Sequence, residues 1–229
     1  MPGKKILMLT GEFTEEYEIY VFQQAMEAVG HTVHVICPDK KAGDLIKTSL
    51  HDFEGDQTYT EKLGHFFTIN KTFSEAEVQL DQYHAVYAAG GRGPEYIRTD
   101  KRVQAIVRHF HEKQKPIFTI CHGVQILIAV DGVVRGKKVG ALGACEPEVT
   151  LAGGTYIDLS PTEAYVEREA RIGHALPFPF LSLAWLGDKG GEILGPTHRV
   201  IPAKAGTSVG TSNCGPRLRG DDAGTKPIS

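Results

Sequence analysis

The sequence predicts one open α/β sandwich, a mostly parallel sheet with helices on both faces. Three observations carry this. Apolar runs of strand length alternate with stretches of helical spacing between residues 5 and 158. The first 37 residues hold a strand, a helix and a second strand, a βαβ unit whose crossover is right-handed in a parallel sheet. Further on, an apolar strand runs directly into Cys121-His122-Gly123.

The elements follow in order. Residues 5–10 are a short apolar strand. Residues 16–29 place Tyr17, Val21, Phe22, Ala25, Met26 and Val29 near helical spacing, and Gly30 is set to cap that helix. Residues 32–37 form the next strand, closed by Pro38. Residues 39–70 break the rhythm: they are polar and predict a loop-rich insertion with a small hairpin or two short strands. An insertion of this length is either a functional loop or a simple surface excursion. The alternation resumes with a strand at 85–89 that ends in Gly90-Gly91. A helix at 103–111 has Val103, Ile106, Val107 and Phe110 on one face. A strand at 116–120 and a helix at 124–130 come next. Residues 139–142, 147–152 and 155–158 predict a strand, a short helix and a strand. In such sheets ligands bind beyond the carboxyl ends of the strands. The loop after Thr10, the Gly90-Gly91 loop and Cys121 all fall there.

Composition removes several function classes. A net charge of −3 over 229 residues gives no reason to expect nucleic acid or an anionic membrane as partner. No apolar run reaches the ~18 residues of a membrane-spanning helix. The N-terminal apolar stretch is too short for a secretory signal. Four cysteines without a CxxC pair suggest neither a zinc site nor a disulfide framework, and reduced thiols fit a cytoplasmic protein. The ten histidines form no HxxxH or HExxH, so no metal is expected, and no cofactor is implied.

The chemistry-bearing segment is Ile117 to Gly123. A strand that ends on a cysteine with a helix starting two residues later has the form of a nucleophile elbow, with sulfur in place of a serine oxygen. The following helix would aim its amides and positive dipole end at the sulfur, favouring thiolate and lowering the Cys121 pKa. The same amides could hold an oxyanion. The bland alternative is a core cysteine at a strand end, which leaves the Cys-His-Gly context unexplained. His122 is a candidate general acid or base, or a capping histidine. Glu15 and Glu16 are accounted for by the helix dipole alone, whereas Glu18 matters only if it turns toward the crevice. Gly90-Gly91 permits a tight turn and close backbone approach, and Arg92 could pair with a carboxylate. The segment is no phosphate-binding GxGxxG, because Pro94-Glu95-Tyr96 follows Gly93.

Together, Glu15-Glu16-Tyr17-Glu18, Gly90-Gly91-Arg92-Gly93-Pro94-Glu95 and Ile120 to Leu127 resemble the ThiJ/PfpI family, the DJ-one superfamily. The resemblance implies a flavodoxin-like three-layer sandwich of the class I glutamine-amidotransferase-like type over residues 4–166. The insertion at about 39–70 is similar to that of the subgroup shared with plant tandem-domain homologues, with which glyoxalase III-type activity is associated. By the same resemblance Cys121 is the nucleophile and Glu18 hydrogen-bonds its sulfur. Glu95 orients His122 across a subunit interface, and the amides of Gly91 and His122 form the oxyanion hole beside Gly90 and Arg92. A homo-oligomer (dimer, trimer or hexamer) is then expected.

The implied activity is glutathione-independent conversion of methylglyoxal or glyoxal to the 2-hydroxy acid, with glycated amines as related, deglycase-type substrates. Two alternatives share the elbow: an intracellular cysteine peptidase or amidase, and a redox-sensing or chaperone-like stress protein. The chain departs from the family after Val166. Residues 167–186 read as an atypical apolar segment in place of the last strand and helix. Thirteen of the 43 residues of 187–229 are Gly or Pro, which predicts a disordered tail of replaced or frameshifted sequence.

Overall fold

The computed structural model describes residues 3–52, 57–160, 163–175 and 200–202. The chain opens with β1 (Lys5–Leu9), β2 (Thr14–Glu15), α1 (Glu16–Ala28) and β3 (Thr32–Ile36). The insertion supplies β4 (Leu45–Asp52) and β5 (Thr60–Thr68), followed by α2 (Phe73–Glu77). Next come β6 (Ala85–Ala88), α3 (Gly93–Ile97), α4 (Lys101–Glu112), β7 (Ile117–Ile120) and α5 (Val124–Ile128). The chain continues through β8 (Lys138–Gly140), α6 (Glu146–Leu151), β9 (Thr155–Ile157), β10 (Ala164–Glu167), β11 (Ile172–Ala175) and β12 (Val200–Pro202).

The central sheet has seven strands in the order β12-β10-β11-β7-β6-β1-β3. It is parallel from β3 to β11; β10 runs antiparallel to β11 and β12 parallel to β10. Both faces are covered, which is why the strands read as unbroken apolar runs. Leu7 and Leu9 of β1 pack with Val86, Ile117 and the Val103, Ile106, Val107 and Phe110 face of α4. Ile6 and Met8 point the other way, onto Ile19, Phe22 and Met26 of α1. The Asp100 side chain starts α4 by accepting from the Arg102 amide at 2.8 Å, an N-cap bond.

The insertion is an ordered hairpin. β4 and β5 pair antiparallel and β2 joins them in a separate three-stranded sheet. β8 and β9 form a two-stranded parallel sheet of their own.

The sheet does not stop at Val166. β11 inserts between β7 and β10, with Ile172 opposite Ile117 and Ala175 opposite Ile120. Its Ile-Gly-His-Ala sequence hides it, since only Ile172 has a strand-forming side chain. Gly173 is required there: a Cβ would lie 2.6 Å from Cδ1 of Phe118. The segment expected to be atypical from 167 onward thus begins as a hairpin through Ala175. Of the predicted disordered tail, Val200–Pro202 forms edge strand β12. The rest of 176–229 lies outside the described residues.

Candidate active site

β1, β6 and β7 are neighbours in the sheet, so the segments leaving their carboxyl ends meet. β7 ends at Ile120, and Cys121 takes φ 54°, in the left-handed region that non-glycine residues seldom occupy. That backbone typically costs about 1–3 kcal/mol and recurs at functional sites. A 3-10 turn over Cys121–Gly123 leads into α5. The elbow expected from sequence is therefore formed.

β2 pins the glycine loop beside it. The Glu15 amide donates to the Gly90 carbonyl at 3.3 Å and the Arg92 amide to the Phe13 carbonyl at 2.9 Å. Gly90 has no room for a side chain: a Cβ would sit 2.7 Å from Oε2 of Glu18 and 2.8 Å from Cβ of Cys121. The amides of Gly91 and His122 both donate toward the Cys121 sulfur.

Glu18 turns inward. Its side chain is buried, the Gly90 amide donates to Oε2, and Oε1 meets no nitrogen or oxygen donor. The Tyr87 hydroxyl donates to the Glu18 carbonyl at 3.1 Å and steadies this turn of α1. Burial pushes the Glu18 carboxyl up to about 8, reinforced by the charge of Glu15 and opposed by the Gly90 amide and the Cys121 thiol.

The Cys121 thiol is also pushed up, by burial first and by Glu18 second. This corrects the expectation of a lowered pKa. The dipole of the five-residue α5 is small, and the two amides on the sulfur do not offset removal from water. His122 is buried, and burial holds its imidazole below the usual value, so the ring is neutral near pH 7. Its Nδ1 lies 3.4 Å from the Cys121 sulfur.

The insertion supplies the far wall. His51 stands opposite Glu61 in the β4–β5 register. Its Nδ1 bonds the Glu15 carboxylate and its Nε2 lies 2.7 Å from the Glu61 carboxylate. Burial pulls the His51 pKa down, but hydrogen bonds to Glu15 and Glu61 outweigh it and hold it above the usual histidine value. The Tyr59 ring packs edge-on against His51 with centroids 5.1 Å apart. Its hydroxyl lies 3.4 Å from Nε2 of His122.

Glu15 is thus a buried partner of His51, not merely a dipole-favoured acid. Glu16 accepts from the Thr48 hydroxyl and His65 amide and ties α1 to the hairpin. Glu95 lies apart: Arg92 donates to it at 2.8 Å, and it acts on His122 only through its charge. Arg92 also reaches Glu61 at 3.6 Å. An adjoining cavity of about 650 Å³, lined by Phe13, Cys37, Lys40, Arg92 and Tyr96 among others, does not include Cys121. Among the described residues, no cluster of three His, Cys, Asp or Glu could hold a metal ion, and no helix is long and apolar enough to cross a membrane.

A model of the DJ-1/PfpI family matches residues 4–171. The chain belongs to the DJ-1/PfpI family. Protein DJ-1 homolog D of Arabidopsis thaliana is 44% identical to this DJ-1/PfpI chain over 161 residues, 70% of this chain and 41% of that protein. Protein/nucleic acid deglycase 2 of Escherichia coli is 30% identical over 175 residues, 76% of this chain and 90% of that protein. Among solved structures, a ThiJ/PfpI domain protein from Brachyspira murdochii has a TM-score of 0.60 at 21% identity, over 77% of this chain and 90% of that one. The chain spans 41%, 39% and 38% of the lengths of three Arabidopsis DJ-1 homologues.

Sequence reasoning missed His51, Tyr59 and Glu61. No linear motif joins them. The signal is the hairpin register, which sets His51 across from Glu61 and cannot be read before the turn is located.

Proposed function

We propose that this DJ-1/PfpI chain converts small α-oxoaldehydes such as methylglyoxal to 2-hydroxy acids without glutathione, with Cys121 as nucleophile. The observation that carries this is the Glu18 carboxyl, buried against the Cys121 thiol and raised to about 8. Proton transfer between adjacent carbons needs a group that gains and loses a proton near neutral pH, which an ordinary carboxylate does not.

The thiol proton passes to Nδ1 of His122 as sulfur bonds to the aldehyde carbon. The carbonyl electron pair moves to oxygen, where the Gly91 and His122 amides hold it. His122 returns the proton to that oxygen, giving the hemithioacetal. Ionised Glu18 then removes the proton from the sulfur-bearing carbon, forming an enediolate whose remaining hydroxyl proton is carried by His122 from the first oxygen to the second. Glu18 redelivers its proton to the neighbouring carbon, leaving a 2-hydroxyacyl thioester. Water cleaves the thioester, releasing the 2-hydroxy acid and the free thiol. One carbon is oxidised by two electrons and its neighbour reduced by two, so no external oxidant or reductant enters.

Deglycase chemistry is the closest relative of this reaction, because glycated amines offer the same carbonyl to the same sulfur. The E. coli relative's name supports it as a second substrate class. Cleavage of polypeptides is less well supported: Cys121 is 3% and His122 6% exposed, too enclosed for a peptide backbone. Redox sensing alone leaves Glu18 and His122 without a role. The test is product analysis with methylglyoxal and no added thiol. The parent chain yields the 2-hydroxy acid, and Cys121→Ser and Glu18→Gln do not. Folded parent protein that yields none refutes the proposal.

A further inference from the structure

We infer that Tyr59, presented by the β4–β5 hairpin, is a positioning residue that orients His122 for proton exchange with Cys121. The inference rests on the proposed role of Cys121 as nucleophile. Nothing in the family assignment or in the names of the relatives points to Tyr59.

A neutral imidazole carries one N–H, so one nitrogen donates and the other accepts. His122 can take the thiol proton only if Nδ1, 3.4 Å from the sulfur, is the accepting nitrogen. Nε2 then carries the hydrogen and needs an acceptor. Among the described residues, the group within reach is the Tyr59 hydroxyl at 3.4 Å. Catalytic hydrogen bonds in unliganded enzymes commonly run this long. When His122 becomes charged, Nε2 remains a donor and the same contact strengthens. Burial pushes the Tyr59 phenol up, so it stays neutral and keeps its place.

The hairpin fixes Tyr59 in turn. Its ring rests edge-on against His51, and His51 is clamped between Glu15 and Glu61. The line of contact runs from the two carboxylates through His51 and Tyr59 to His122 and the sulfur. The charged groups acting on His122 through space are Glu95, His51, Arg92 and Glu148. The insertion, on this account, completes the site instead of decorating the surface.

The test is Tyr59→Phe, which keeps the ring on His51 and removes only the oxygen. Two quantities are followed: the rate of Cys121 alkylation by iodoacetamide from pH 6 to 9, and kcat and KM with methylglyoxal. Loss of one hydrogen bond predicts alkylation about fivefold slower at pH 7. The value of kcat falls in the same proportion, with KM and Tm unchanged. In a His122→Asn background Tyr59→Phe has no further effect, because the hydroxyl acts through the imidazole. Alkylation equal to that of the parent, or an undiminished loss in the His122→Asn background, overturns the inference. Alkylation needs no oxoaldehyde. A parent that makes no 2-hydroxy acid but shows the Tyr59 dependence would remove the substrate assignment and leave the positioning role.

Discussion

Glu18 and Cys121 are buried against each other at 2% and 3% exposure: burial raises both pKa values, the Glu18 charge raises that of Cys121 further, and the thiol's hydrogen bond opposes the rise at Glu18. The two groups titrate as a pair, and the charge on one is set by the proton on the other.

That relationship has a consequence for stability. The Glu18 carboxyl is lifted from 4.5 to about 8 in the folded chain. Between those values the folded state keeps a proton that the unfolded state has released. Stability therefore falls as pH rises across the window, by up to about 1.4 kcal/mol per pH unit. Glu18→Gln cannot ionise, so its Tm should decline less than the parent's between about pH 5 and 8. Parallel Tm curves for the two proteins would contradict the raised pKa.

The pair also governs thiol reactivity. A thiol held up by burial does not saturate as thiolate at neutral pH. Alkylation of Cys121 should still be climbing through about pH 8, and Glu18→Gln should alter the profile in that range. Cys37 and Cys145, both buried and pushed up to about 12, should remain unlabelled in the folded chain. Peptide mapping after brief iodoacetamide treatment reads all three. Labelling of Cys121 that is complete and flat from pH 6 upward would restore the low-pKa thiolate expected from the helix dipole.

What the sequence revealed follows from how local each feature is. β1, β6 and β7 were legible because burial on both faces leaves continuous apolar runs, and α4 because its buried residues recur at helical spacing. The elbow at Cys121 was legible because strand, turn and helix are contiguous. The carboxylate clamp on His51 was not, since it joins residues 36 positions apart through a register fixed only by folding. The Cys121 pKa was mistaken for a related reason: the sequence displays the helix that stabilises a thiolate but not the burial that opposes it.

Strand β11 offers a test of where the domain ends. If Ile172–Ala175 lies between β7 and β10, Gly173 faces the Phe118 ring with no space for a methyl group. Gly173→Ala should then destabilise the chain by about 1–3 kcal/mol through overpacking. Urea denaturation of parent and variant measures this directly. An unchanged midpoint would exclude β11 from the sheet and return the boundary to Val166.

The His51 clamp should be the largest single electrostatic contribution in the hairpin. The His51 and Glu15 side chains are 3% and 8% exposed, whereas Glu61 is 36% exposed. Removing a buried partner strands a charge, so His51→Ala should cost about 3–5 kcal/mol. Glu61→Gln, losing a bond at the surface, should cost under about 1 kcal/mol. The sign of the pH dependence is set by His51, whose folded pKa lies above its ordinary 6.5. Its contribution is fully present below about 6.5 and is lost as pH rises through the folded value. The gap between parent and His51→Ala should therefore be widest near pH 6 and narrow toward pH 9. Adding Glu15→Gln to His51→Ala should recover part of the loss, because the stranded carboxylate beside Glu18 is then gone. A His51→Ala penalty that is small, or constant with pH, would mean that the imidazole is neutral and that the hairpin is held by packing alone.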